Sequence, residues 1–330
     1  MKIPRLQLAA RTAAQTVVMT AALTAASLAA SLLAVPAVFA ADNNNQEGQG
    51  QAVVTVLSGQ QASGAISQQA LQLKVNGKQS NITGWTPLSG PQNRVEVVVL
   101  IDDGARFSLG TQMKDIAQFI QSLPPNAKVG LAYMMNGRAA MSGPLSSDRA
   151  AIQKQLHLPM AGAPGINASP YFCLSDLAKH WPSTDAKARR EVVMITDGVD
   201  NYDRRYDPED PYVQAAIDDS VRGRLIVYSI YWTDSGRFGR TGYAANSGQN
   251  LLAQVTQATG GNSYWEGYGN PVDLQPYFAD IDRRLQNQYE LDFMAPMGSK
   301  PQVESFHLKL SAPAKVDAPQ QVYVHTGASI

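Results

Sequence analysis

Residues 97–108 read VVVLIDDGARFS, a β-branched apolar run that ends in two carboxylates and then turns through glycine. The run has neither the 3.6-residue spacing of a helix nor the polar alternation of a half-exposed strand, which marks a strand buried on both faces. In an α/β sheet such strands carry acidic residues to the crevice outside their C-terminal ends, where ligands bind. A second run repeats the chemistry: EVVMITD, residues 191–197, ends in Asp197 and is followed by Gly198. Asp102 and Asp197 are thereby placed at one sheet edge. Arg106 follows Asp102 by four residues, so the crevice carries a cation of its own. Either the carboxylates hold a metal ion, or the guanidinium has taken its place.

Working outward, residues 94–289 alternate between strand and helix patterns. SLGTQMKDIAQFIQSL (108–123) puts Met113, Ile116, Ala117 and Ile120 on one helical face, and Pro124-Pro125 stops it. KVGLAYMM (128–135), Asn136-Gly137 and RAAMSG predict a hairpin, and Ser146 or Ser147 is placed to cap DRAAIQKQLHL (148–158). Helices are expected at 170–181, 211–222, 249–259 and 274–289, a strand at RLIVYSIYW (224–232), and a short one near NSYWEG. The expected fold class is α/β: a doubly wound, mainly parallel sheet with one antiparallel edge strand, plus small β-rich flanking segments.

The ends of the chain read differently. Residues 1–40 join a basic start (Lys2, Arg5, Arg11) to an uncharged apolar stretch ending in AVFA, the pattern of a secretory signal peptide cut before Ala41. The alternative is an uncleaved N-terminal helix anchored in the inner membrane. Export to the periplasm or medium follows from the first reading, with no stable membrane span after cleavage. ADNNNQEGQGQ (41–51) reads as a flexible linker, 52–90 as a β-rich segment, and 290–330 as a C-terminal extension of strands.

Of 27 basic and 27 acidic residues, cleavage removes three basic ones, leaving a net charge of −3. Without a clustered basic face, nucleic acid is not an expected partner. The single cysteine, Cys173, permits no internal disulfide and reads as a buried small hydrophobe. The four histidines are dispersed and give no zinc spacing.

The order strand, helix, hairpin, two helices, then a strand ending in Thr-Asp-Gly resembles a von Willebrand factor A domain over residues 94–289. EVVMITDGVDN is similar to the segment carrying that family's last metal-site aspartate. The flank VTVLSGQQASGAISQQALQLKVNGKQSNITGW, and the tail QYELDFMAP followed by SFHLKLS, resemble exported acidobacterial-type proteins of the family. The resemblance implies a Rossmann-type sheet and an adhesion site in which Asp-x-Ser-x-Ser, a Thr and an Asp hold a divalent cation. Carried over, the aspartates fall on Asp102 and Asp197, the serines on Gly104 and Arg106, and the threonine on Asn167. Both carboxylates stay and the three hydroxyls are gone, so the site is degenerate.

An arginine in that position opposes a metal. A unit charge about 4 Å from a divalent ion costs several kcal/mol even at an effective dielectric of about 20. The expectation is that Arg106 pairs with Asp102, Asp197 or both, and that no cofactor is needed. If a metal is retained, Asp102 and Asp197 hold Mg²⁺, Mn²⁺ or Ca²⁺ through waters. Asp103, next to Asp102, is expected to point elsewhere, and Ser108 to cap the following helix. In DGVDNYDRRYDPEDPY (197–212), Asp200 and its neighbouring acids lack calcium-loop spacing and interleave with Arg204 and Arg205.

Enzyme signatures are absent: there is no Gly-x-Ser-x-Gly, no phosphate loop and no Gly-x-Gly-x-x-Gly after the first strand. The sequence therefore predicts an exported, non-enzymatic module that binds another protein. Its face comprises Asp102, Asp103, Gly104, Arg106, Asn167, Asp197 and Asp200, with loops 198–212 and 233–248. A metal-dependent adhesin and a hydrolase are the alternatives.

Overall fold

A computed structural model describes residues 46–57, 66–90, 93–159, 169–200, 202–203, 206–233, 242–311 and 314–326, without the side chains of Gln46, Arg106 and Phe107. The leader at 1–40, Asn167, and the Arg106 pairing lie outside the described residues.

The chain begins with β1 (Gln46–Leu57), β2 (Leu71–Val75) and β3 (Lys78–Pro87). It then runs through β4 (Val95–Asp102), α1 (Met113–Ser122), β5 (Lys128–Met135), β6 (Arg138–Met141) and α2 (Arg149–Gln155). Next come α3 (Pro170–Lys179), β7 (Arg189–Thr196), α4 (Pro211–Arg222), β8 (Leu225–Tyr231) and α5 (Gly242–Thr259). β9 (Ser263–Tyr264), α6 (Gln275–Gln286), β10 (Gln288–Met297), β11 (Gln302–Leu310), β12 (Lys315–Asp317) and β13 (Gln321–His325) complete it.

The expected fold class needs correction. The chain is not a doubly wound, mainly parallel sheet with small β-rich flanks: it contains a closed antiparallel barrel of six strands beside a separate mixed sheet. Around the barrel the order is β10-β3-β2-β11-β13-β1, closed by β1 on β10, with β12 added alongside β1. Every pairing in it is antiparallel. The mixed sheet has the order β6-β5-β4-β7-β8-β9, with β6 antiparallel to β5 and the other pairs parallel. Strand pairing between segments more than 200 residues apart is invisible to local periodicity, which is why the flanks read as small appendages.

The barrel also overturns the linker at its described end, since residues 46–51 belong to β1. Gly48, Gly50, Ala52 and Val54 are buried and the polar residues between them face outward. A β-carbon on Gly50 would stand 2.2 Å from the Phe293 ring, so glycine here makes room for that ring in the barrel interior. Leu73, Val75, Leu291, Phe293 and Val324 fill the interior.

In the mixed sheet, alternate residues of β4 enter two cores. Val97, Val99 and Ile101 pack with Ile116, Phe119, Phe278 and Ile281 on one face. Val98 and Leu100 pack with Tyr171, Leu174, Leu177 and Ile217 on the other. Both hairpin turns carry the left-handed Asn-Gly pairs that a two-residue connection demands: Asn76-Gly77 at φ 50° and 70°, and Asn136-Gly137 at 49° and 76°. The expected serine cap of α2 is corrected to Asp148, whose carboxylate accepts the Ala151 N–H at 3.0 Å.

Candidate binding edge

The register of β4 on β7 sets Ile101 beside Ile195, so Asp102 and Thr196 reach the same C-terminal edge. Asp102 Oδ1 accepts the Gly104 N–H at 2.7 Å, and its Oδ2 accepts the Thr196 hydroxyl at 2.6 Å. The Thr196 oxygen in turn accepts the Gly198 N–H at 3.2 Å. Asp197, only 3% exposed, accepts the Val199 N–H at 2.8 Å. Asp103 opens the 3-10 turn that runs from Asp103 to Gln112 and is half-buried. Ser108 does not cap α1. Its hydroxyl donates to the Ala105 carbonyl at 2.7 Å and accepts the Trp232 indole N–H at 2.9 Å, because the 3-10 turn holds it a full turn before α1 begins.

Behind this pair lies a second group of acids. Asp200 is 2% exposed and accepts the Tyr202 N–H at 2.7 Å. Burial raises its pKa; the Tyr202 and Asp203 N–H groups pull it down, Asp210 pushes it up, and the Ser169 hydroxyl lowers it. Asp210 caps α4, accepting the N–H groups of Tyr212 and Val213 at 2.8 and 3.2 Å. Tyr171, wholly buried, donates its hydroxyl to the Gly198 carbonyl at 2.7 Å. Its pKa is pushed well up by burial and then by Asp200, Asp197 and Asp210. The Cys173 thiol is raised by burial first and then by Asp102, which fits an inert core residue.

The backbone of this edge is held by contact as well as hydrogen bonds. Gly198 has φ +65°, and a β-carbon on Gly248 of α5 would lie 2.0 Å from the Asp197 carbonyl oxygen. Helix α5 can approach the Asp197–Gly198 turn this closely only because position 248 has no side chain.

The structure thus brings Asp102 to Thr196, at the end of the strand that Asp197 follows, and puts Asp197 and Asp200 around Tyr171. Sequence reasoning missed Thr196, Ser169 and Tyr171, and counted Asp210 only among the acids of a loop without calcium spacing. Two were signalled: Ser169 precedes Pro170 as an N-cap before proline, with its Oγ accepting the Tyr171 N–H at 3.3 Å, and Thr196 directly precedes Asp197 in the strand. Hydroxyls are therefore present among the acids, although not at the expected positions. Among the described residues, no three His, Cys, Asp or Glu side chains gather where they could hold a metal ion.

Around the buried acids the edge is mixed, with large apolar side chains standing among the exposed acids Asp203, Asp207, Glu209, Glu266 and Asp273. Among the described residues, the large hydrophobic side chains that stand exposed are Met135, Tyr202, Tyr243, Trp265, Tyr268 and Val272. All six sit at this edge. Met135 ends β5 beyond the residue paired with Asp102, Tyr202 follows β7, and Tyr243 opens α5 after β8. The other three lie in the loop after β9, which Asn270 ties to Thr233 by bonds of 2.6 and 2.9 Å. Phe172, Tyr202 and Tyr212 form one aromatic cluster with ring centres 5.0–5.3 Å apart.

No family model matches the chain, and no curated protein matches it. Solved structures similar to it include a von Willebrand factor type A protein from Catenulispora acidiphila, at 12% identity and TM-score 0.42, covering 86% of this chain and 75% of that one. An aerotolerance-related membrane protein from Bacteroides fragilis is similar over 58% of this chain and 98% of its own, at 15% identity and TM-score 0.42. The pilus adhesin SpaC from Lactobacillus rhamnosus GG, in an open conformation, is similar over 82% of this chain and 48% of its own, at 11% identity and TM-score 0.40. Similarities of this size assign no ligand and no activity. No described helix is long and apolar enough to cross a membrane.

Proposed function

We propose that this chain is an exported, non-enzymatic protein-binding module that uses the C-terminal edge of its mixed sheet. One observation carries the reading: among the described residues, the exposed large hydrophobic side chains collect on that edge. Tyr, Trp and Met are the residue types enriched where proteins meet. The acids beneath the edge give it a polar, hydrogen-bonded floor. The leader supports export.

In this reading recognition is metal-independent. Both oxygens of Asp102 already accept protein donors, and Gly104, Arg106 and Asn167 stand where the resemblance puts metal-ligating hydroxyls. A second reading keeps a divalent cation on Asp102 and Asp197, and the nearby Thr196 and Ser169 hydroxyls favour it, since hard cations take hydroxyl and carboxylate oxygens. Calorimetric titration of Mg²⁺, Mn²⁺ and Ca²⁺ into residues 41–330 separates the two. No heat at millimolar metal supports the first; binding abolished by Asp102→Ala supports the second.

The binding reading is tested by capture from an envelope extract in EDTA. The wild-type chain is compared with a Tyr202→Ser, Tyr243→Ser, Trp265→Ser variant and with a control triply substituted on the barrel exterior. Proteins retained by wild type and control and lost by the edge variant are expected. Equal retention by all three would sink the proposal.

A further inference from the structure

The barrel is closed unevenly. β1 joins β10 through ten paired residues, from Gln46 with Met297 to Thr55 with Gln288. On its other side β1 meets β13 through only two, Gln49 with His325 and Gly50 with Val324, and meets β12 from Thr55 to Leu57. Between those contacts, residues 51–54 pair with β10 alone. The seam parts there and opens into a cavity of about 710 Å³ that reaches from the barrel wall to the end of α4 and the start of β8. It lies at the amino end of β8, opposite the edge proposed for protein binding, so the two inferences stand apart.

Its walls are mixed in a consistent way. Val53, Met294 and Tyr323, all half-buried, give apolar surface, while Arg222 and Arg224 bring guanidinium groups. The acids nearby are engaged: Asp292 accepts the Gln51 side-chain N–H at 2.7 Å, and Glu290 faces Arg224 at 3.6 Å. Arg222 is different. It is exposed, lies 5.2 Å from the centre of the Tyr323 ring, and has no carboxylate partner among the described residues. Arg224 adopts a left-handed backbone at φ 58°, a conformation that costs a non-glycine residue energy and marks a constrained position. A concave, mainly apolar space of a few hundred Å³ with a small number of convergent polar groups is the form of a small-molecule site.

We propose that this seam binds an anionic amphiphile: a molecule with an extended apolar body, which lies against Val53 and Met294, and a carboxylate head, which pairs with Arg222. The guanidinium is already positioned by the Tyr323 face, so little side-chain freedom remains to be lost on binding. The head must be anionic to pair with Arg222, since Arg224 already faces Glu290 and Asp292 is held by the Gln51 amide on the opposite wall.

The probes are dodecanoate below its micellar concentration, dodecyltrimethylammonium at the same concentration, and acetate, each titrated calorimetrically into residues 41–330. Dodecanoate is expected to bind, the ammonium compound to bind at least about tenfold more weakly, and acetate not at all. Arg222→Ala is expected to weaken dodecanoate by about tenfold and Arg222→Lys by less, with both variants melting like the parent. Thr83→Trp, an exposed change on the cavity rim, is expected to obstruct entry without touching the charge. Failure of dodecanoate to bind would overturn the proposal. So would equal binding of the two amphiphiles, or binding indifferent to both Arg222→Ala and Thr83→Trp.

Discussion

Strands β2 and β8 obey different rules within one molecule. In LQLKV, buried and exposed residues alternate, because one side of β2 faces the barrel interior and the other faces water. In LIVYSIY every residue is buried, because helices cover both faces of the mixed sheet. The barrel's interior cluster is apolar, and beside it one buried acid, Glu304, lies on the same face of β11 as Phe306 and Leu308 and accepts the Gln302 side-chain N–H at 2.5 Å. The mixed sheet buries Glu96, Glu191, Asp197, Asp200 and Asp210 as well. Among the described residues, one region is a scaffold closed mainly on hydrocarbon, with a single buried acid; the other puts several ionisable groups under cover, and its exposed end carries the aromatic edge. Buried acids are costly unless they are bonded, so their concentration in one region is a sign of where the chain does more than fold.

Substitutions can break this contrast at either side. The largest expected effect is in the barrel: Phe293→Ala should cost about 3–5 kcal/mol, read as a fall in the urea midpoint, because Gly50 leaves nothing to fill the void. A loss below about 1 kcal/mol would mean that the interior collapses and the barrel is not tightly packed.

In the mixed sheet the expected signature is pH dependence. Glu191 is fully buried, and burial lifts its carboxyl from 4.5 to about 7 even with Arg189 3.0 Å away. A folded pKa above the unfolded one means that stability is fully present below pH 4.5 and is lost as pH rises through about 7. The loss is about 3 kcal/mol at order of magnitude. Glu191→Gln should flatten the slope between pH 5 and 8, and an unchanged slope would assign it to another group.

A smaller effect, about 1–2 kcal/mol, is expected for Thr196→Val, which leaves Asp102 Oδ2 without its 2.6 Å partner. Smallest of all, Tyr243→Ser should change stability by no more than about 0.5 kcal/mol while weakening capture of the protein partner. A large destabilisation there would make the aromatic edge part of the fold.

The same contrast explains what the sequence made legible. β4, β7 and β8 announce themselves because strands covered on both faces need uninterrupted apolar residues. β2 and β3 were readable from Asn76-Gly77 between them. The first half of β1 was not, since its inward positions are Gly48 and Gly50 and its outward ones polar, a composition that also describes a linker. The β1–β10 pairing joins segments that no local window spans. At the edge, Asp102 and Asp197 were legible as strand-terminal acids. Thr196 was hidden in plain view, because only the cross-strand register shows that its hydroxyl meets Asp102. Tyr171 needed tertiary packing to join Asp200 and Asp210.

The most direct measurement of the central claim is hydroxyl-radical footprinting of the chain alone and in its captured complex, with EDTA present. The account predicts that Tyr202, Tyr243, Trp265 and Tyr268 lose reactivity several-fold on binding while Tyr323 and Trp85 in the barrel do not. Protection confined to the barrel, with the aromatic edge unchanged, would contradict it.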